Sequence, residues 1–122
     1  MAYTIGKVAE RVGLSTYTLR YYEKEGLLPG IQKNGQGIRI YQEDDIFWIE
    51  LIKCLKETGM SIADIHYIVE LSMEGEHTIP QRKQILNAHK RQLQEQMEII
   101  QRSVHKIDKK IEWYDGKTKE CE

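Results

Sequence analysis

Ile79, Leu86, Leu93, Ile100, Ile107 and Tyr114 recur every seven residues, and Lys83, Lys90, Met97, Val104 and Ile111 follow four residues after the first five. With the first set at d and the second at a, this is a sustained heptad repeat. No glycine falls between Ile79 and Asp115, and Pro80 occupies the first turn, where a missing N–H costs nothing. The pattern predicts one helix of about 36 residues, about 54 Å long. Such a helix either lies on the protein's own body or pairs with another chain. The rest of this 122-residue chain is too small to cover it. A composition of 40 % hydrophobic and 30 % charged residues also fits a core that a partner chain completes. A homodimer is therefore expected, with Leu86, Leu93, Met97, Ile100, Val104, Ile107 and Ile111 in the seam. Lys at two a positions weakens its first half and helps set register.

Upstream, Ile5, Val8, Ala9 and Val12 fall on one helical face, with Thr4 as N-cap and Gly13 as a break. Ser15 caps a second helix, Thr16 to Glu25, closed by Gly26. Two short helices around a glycine turn read as a helix-turn-helix, a weak signal by itself. Residues 27–41, LLPGIQKNGQGIRIY, carry turn dipeptides between short apolar stretches and predict a small β-hairpin, or wing. Alternation there places Arg39 and Tyr41 opposite Ile38 and Ile40. A third helix runs from about Glu43 to Thr58, with acids in its first turn and apolar residues around most of its circumference, as for a helix buried between two layers. Ser61 opens a fourth helix with Ile62, Ile65, Ile68, Val69 and Met73 on one face. Expected domains are 1–75 and 76–122. The class is mainly α: a winged helix-turn-helix followed by a long dimerisation helix.

The net charge of −1 hides an asymmetry. Residues 1–41 carry +3, residues 42–77 carry −7, and residues 78–122 carry +3. Phosphate contacts depend on the local field, so the basic first third keeps nucleic acid open as a partner. No apolar run is long enough to cross a membrane, Met1 to Gly6 lacks a signal-peptide pattern, and the two cysteines cannot build a disulfide framework. A cytoplasmic protein is expected.

The stretch IGKVAERVGLSTYTLRYYEKEGLLPG, Ile5 to Gly30, and the GIRIY at Gly37 to Tyr41 resemble the MerR family of bacterial transcription regulators. The string LRYYEKEGLL, Leu19 to Leu28, is the most specific part. GMSIADI at Gly59 to Ile65 and the long helix conform as well, so the resemblance covers nearly the whole chain. It implies a dimer joined by an antiparallel coiled coil on an inverted repeat in double-stranded promoter DNA. Such proteins distort the promoter, act on RNA polymerase indirectly, and usually activate transcription, here in a stress response. A recognition helix brings its N-terminal side chains to base edges, which suits Thr16, Tyr17 and Thr18. The resemblance gives Arg20 and Tyr22, with Arg39 and Tyr41 of the wing, to the phosphate backbone. Phosphate contacts set register while base contacts select sequence. For Arg20 the plainer alternative is an ion pair with Glu23, and one of Tyr21 and Tyr22 is expected to pack. Ile38 stands where many members carry an aromatic residue.

Metal-sensing members carry a cysteine pair at the end of the long helix. Here that end is expected at Tyr114-Asp115-Gly116, followed by a tail with Cys121, and no Cys or His pair has ligand spacing. No metal, no cofactor and no catalytic residue are expected. Cys54, in IKCLKETGMSI, matches the lone cysteine of the AdhR/NmlR-type aldehyde- and electrophile-responsive subfamily, as does YDGK at 114–117. That similarity assigns sensing to Cys54. The alternative is a small buried core residue, and its same-face neighbours Glu50 and Glu57 disfavour a thiolate. Two further classes remain: a small helical enzyme, for which no nucleophile–base pair is visible, and a coiled-coil interaction module whose helix-turn-helix binds protein. Within the regulator reading, a noncovalent ligand or a metal is the alternative effector.

Overall fold

A computed structural model describes residues 2–120. The elements, in order, are α1 (Ile5–Val12), α2 (Thr16–Lys24), β1 (Gln32–Lys33), β2 (Arg39–Ile40), α3 (Glu43–Glu57), α4 (Ile62–Glu74), a 3-10 turn (Glu76–Thr78) and α5 (Ile79–Glu120). They divide into two compact units, Met1–Ile85 and Leu86–Glu122.

The caps act where the sequence placed them. Thr4 Oγ1 accepts from Lys7 N (3.3 Å), Ser15 Oγ from Thr18 N (3.0 Å) and Ser61 Oγ from Asp64 N (3.1 Å), each satisfying an otherwise orphaned N–H at a helix start. α1 ends at Gly13, whose φ of 72° is left-handed and whose N–H returns to the Ala9 carbonyl. Val8, Val12, Leu19, Leu27, Leu28, Ile46, Ile49, Ile52, Leu55, Ile65, Ile68 and Val69 are buried. They form one core of α1 to α4 with the chain segment after α2.

The wing is a two-stranded antiparallel hairpin with Gln32 opposite Ile40 and Lys33 opposite Arg39. Asn34 builds its turn: its Oδ1 accepts from Gln36 N (2.9 Å) and Ile38 N (3.0 Å). Tyr3 then pairs with Tyr41 through two backbone hydrogen bonds (2.8 and 2.9 Å), tying the N-terminal segment to the base of the wing. Tyr41 is wholly buried and Ile38 exposed, on opposite sides as expected, but Arg39 and Ile40 are both half-buried, and it is Tyr41 that faces the core.

Two other expectations are corrected. α3 is not enclosed by two layers: Phe47 is 74 % exposed and Cys54 is exposed. Its buried stripe is Ile46, Ile49, Ile52 and Leu55, one helical face only. α5 does not stop at Tyr114-Asp115-Gly116 but continues through Gly116 to Glu120, 42 residues or about 63 Å. One glycine inside a helix costs about 1 kcal/mol, too little to end so long an element. Cys121 lies outside the described residues.

Between α4 and α5, Gly75 takes a φ of 130° and Thr78 is buried. The Thr78 hydroxyl donates to the Leu71 carbonyl (2.6 Å) and accepts from Arg82 Nε (3.0 Å), while Arg82 Nη2 donates to the Gly75 carbonyl (3.1 Å). Carbonyls freed at the end of α4 are thereby satisfied. Among the described residues no helix is long and apolar enough to cross a membrane.

Along the second unit, Met97, Ile100, Val104, Ile107 and Ile111 are each 51–61 % exposed. The heptad seam is thus an apolar stripe open to solvent on the single chain.

Candidate nucleic-acid interface

α2 is the exposed helix of the helix-turn-helix. Leu19 and Tyr22 turn inward, and this sets the phase of the rest. Tyr17, Arg20, Tyr21 and Lys24, spaced i, i+3, i+4 and i+7, line one outward face. Tyr17 is 78 % exposed at the first turn. Thr18 serves the cap, its Oγ1 lying 2.9 Å from Ser15 Oγ, and Thr16 is half-buried beside it.

Beside that face, Arg20, Glu23, Lys24 and Arg39 line an open cleft of about 310 Å³. Arg39 reaches it from β2 and is ion-paired through Nε with Glu23 of α2. Arg20 makes no ion pair among the described residues, so the expected alternative, Arg20 with Glu23, is replaced by Arg39 with Glu23. Three cations against one carboxylate leave the cleft positive, as a phosphate path requires.

One expected phosphate contact is corrected: Tyr41 is wholly buried with its hydroxyl, whereas Tyr22 keeps 6 % exposure. Both rings pack in the core, and burial pushes both phenols above their ordinary pKa. The Tyr41 hydroxyl has no hydrogen-bond partner among the described residues. The residues that sequence reasoning passed over are Tyr21 and Lys24. Their signal was present as the four- and seven-residue spacings from Tyr17, which group them with Arg20 once Leu19 is known to face inward.

α3 holds both helices of this motif from behind. Lys53 Nζ donates to the Val12 carbonyl at the end of α1 (2.8 Å), and Trp48 Nε1 donates to the Leu27 carbonyl just past α2 (2.9 Å). At its start, Glu43 accepts from Arg11 Nη1 and Nη2 (2.8 and 3.0 Å) and from the Tyr3 hydroxyl (2.6 Å). The guanidinium, and next the phenol, hold the Glu43 carboxyl down at about 2. Cys54 projects from the outer side of this same helix. Among the described residues no group of three His, Cys, Asp or Glu side chains is placed to hold a metal ion.

Two family models match the chain. One, "MerR HTH family regulatory protein", covers residues 3–71, and the other, "MerR, DNA binding", covers residues 48–110. An uncharacterized HTH-type transcriptional regulator of Haemophilus influenzae is 37 % identical over 93 % of this chain and 84 % of its own length. The HTH-type transcriptional regulator AdhR of Bacillus subtilis is 44 % identical over 73 % of this chain and 64 % of its own. Among solved structures, HiNmlR, a MerR family regulator lacking the sensor domain and bound to promoter DNA, superposes with a TM-score of 0.85. It is 36 % identical, over 94 % of this chain and 91 % of that one. These relatives are transcriptional regulators and not enzymes. With its element order, its exposed α2 face and the family models agreeing along most of its length, the chain belongs to the MerR family of helix-turn-helix, DNA-binding transcriptional regulators.

Proposed function

We propose that the protein works as a cytoplasmic homodimer that binds an inverted repeat in promoter DNA, one half-site per protomer, and activates transcription by distorting the DNA seen by RNA polymerase. The observation that carries this reading is the outward face Tyr17–Arg20–Tyr21–Lys24, continued across the cleft by Arg39. Tyr17 and Thr16 at the start of α2 meet base edges; Arg20, Lys24 and Arg39 meet phosphates. The dimer is formed by the α5 stripe, Leu86 to Ile111, antiparallel as in the resemblance to the family. A stripe of five large apolar residues, each more than half exposed, is costly on a lone soluble chain. Residues 76–122 form the dimerisation arm, and residues 1–75 the DNA-binding domain.

Cys54 is proposed as the sensing residue for a small electrophile such as an aldehyde, on the strength of its match to the AdhR/NmlR-type cysteine and of its accessibility. On the single chain Cys54 is exposed, which favours an accessible thiol over a core residue and changes the mechanism. An adduct at an outward thiol does not overpack this protomer's core; it acts only on what covers that side of α3 in the dimer. Because α3 also holds the ends of α1 and α2, a shift of α3 moves the reading helix.

The test is a promoter reporter with wild type, Cys54→Ser and Cys121→Ser, with and without formaldehyde, beside a salt-dependent mobility shift. Specific binding by the dimer and loss of induction only in Cys54→Ser support the reading. A Cys54→Ser protein that responds fully leaves a noncovalent ligand as the effector, and absence of any DNA shift removes the interface assignment.

A further inference from the structure

Glu23 is an anomaly in the cleft. It is a carboxylate on the recognition helix, between Arg20 and Lys24, in a surface assigned to phosphate. A fixed negative charge there repels the DNA backbone. Yet Glu23 is not turned away to solvent. Its side chain is 22 % exposed, and it reaches across to Arg39 of the wing.

The ion pair has a direction. Glu23 faces Arg39 at Nε, a buried nitrogen on one edge of the guanidinium, as a charge contact without hydrogen-bond geometry. The opposite edge, which carries both Nη nitrogens, is the edge that grips two phosphate oxygens at once. An unrestrained arginine gives up about 2 kcal/mol of rotamer freedom on binding. One already held at Nε has lost much of that before DNA arrives. The wing itself is two residues per strand, a poor platform for a precise contact. The ion pair anchors it to α2.

We infer, resting on the DNA-binding reading above, that Glu23 is a positioning residue: it holds Arg39 by Nε so that the Nη edge meets a backbone phosphate in register with the base contacts of α2. Two effects of opposite sign follow. Positioning strengthens binding where helix and wing engage together, on a specific site. Charge repulsion weakens binding everywhere. Glu23 therefore raises the ratio of specific to non-specific affinity.

The probe is a duplex selected from a random library by the wild-type protein, beside a scrambled duplex of the same composition. Glu23→Gln, Arg39→Met and the double variant are measured on both at several salt concentrations, with thermal melting of each protein. Glu23→Gln is expected to weaken the selected duplex by about three- to tenfold, the usual coupling of neighbouring charged groups, and to leave the scrambled duplex bound equally or more tightly. In the Arg39→Met background the same change is expected to lose its effect on the selected duplex. Tighter binding of both duplexes shows that Glu23 only repels phosphate, and overturns the proposal. Parallel weakening of both with a lowered melting temperature, or an undiminished effect in Arg39→Met, assigns Glu23 to stability and also overturns it. A wild-type protein that selects no duplex removes the DNA-binding reading beneath it, an outcome distinct from either.

Discussion

The ammonium of Lys53 donates a 2.8 Å hydrogen bond to the carbonyl of Val12, 41 residues earlier in the chain. That carbonyl is one of the last of α1, at the negative end of the helix dipole and with no intrahelical partner. The same ammonium lies 3.9 Å from Glu57 Oε1. Together with Trp48 on the Leu27 carbonyl, it makes α3 the element that fixes the turn and exit of the DNA-reading motif.

Replacing Lys53 with Met keeps its stem and removes the donor. The expected cost is about 1–2 kcal/mol, since a charged donor to a part-buried carbonyl is lost. For a domain of this size that lowers the melting temperature by several degrees. Thermal melting and a mobility shift on the same samples check this; binding is expected to weaken at temperatures where the protein is still folded.

Glu43 makes stability fall in acid. Its folded pKa of about 2 lies below the ordinary 4.5, so its ionised form stabilises the fold above about pH 4.5. That contribution is lost as pH falls from 4.5 towards 2. Denaturant midpoints of wild type and Glu43→Gln are expected to differ near neutrality and to converge as pH approaches 2.

Adjacent tyrosines are expected to fail differently. Tyr22→Ala empties a core site and is expected to destabilise the fold by about 3–5 kcal/mol. Tyr21→Ala is expected to leave unfolding within about 0.5 kcal/mol of wild type while weakening DNA binding. Denaturation and binding titrations on both variants check the pair.

Arg20→Ala and Arg39→Ala are each expected to weaken binding to every sequence and to reduce the salt slope by about one unit, the signature of one lost phosphate contact. Tyr17→Ala is expected to alter sequence preference instead. Binding isotherms at several salt concentrations separate the two.

Ile100→Glu with Ile107→Glu places charge in the open stripe of α5 and leaves residues 1–85 untouched. The variant is expected to be a folded monomer that has lost specific DNA binding, because in the proposed dimer each protomer holds one half-site. Light scattering and circular dichroism on one sample check both parts.

Where most elements begin was legible in the sequence, because those signals are local; the end of α5, carried past Gly116, was not. A Ser15 or Ser61 hydroxyl reaches an N–H three residues on, a glycine at 13 takes the left-handed turn, and a repeat at 79, 86, 93 and onward leaves no room for anything but a long helix. The sequence did not determine which way each element turns. Helical spacing sets the angle between Tyr21 and Tyr22 at about 100° but leaves open which one faces the core. That was decided by the packing of α2 against α1, which leaves Leu19 and Tyr22 buried. Tyr41, bridged to Tyr3 from 38 residues away, faces the core, and a two-residue strand is too short for alternation to say so. Phe47 and Cys54 stand outside for the converse reason: apolar composition says a helix can be buried all round, but only the elements present decide which side is covered. The Arg39–Glu23 pair joins a strand to a helix across 16 residues, and only the folded chain brings the two charges together.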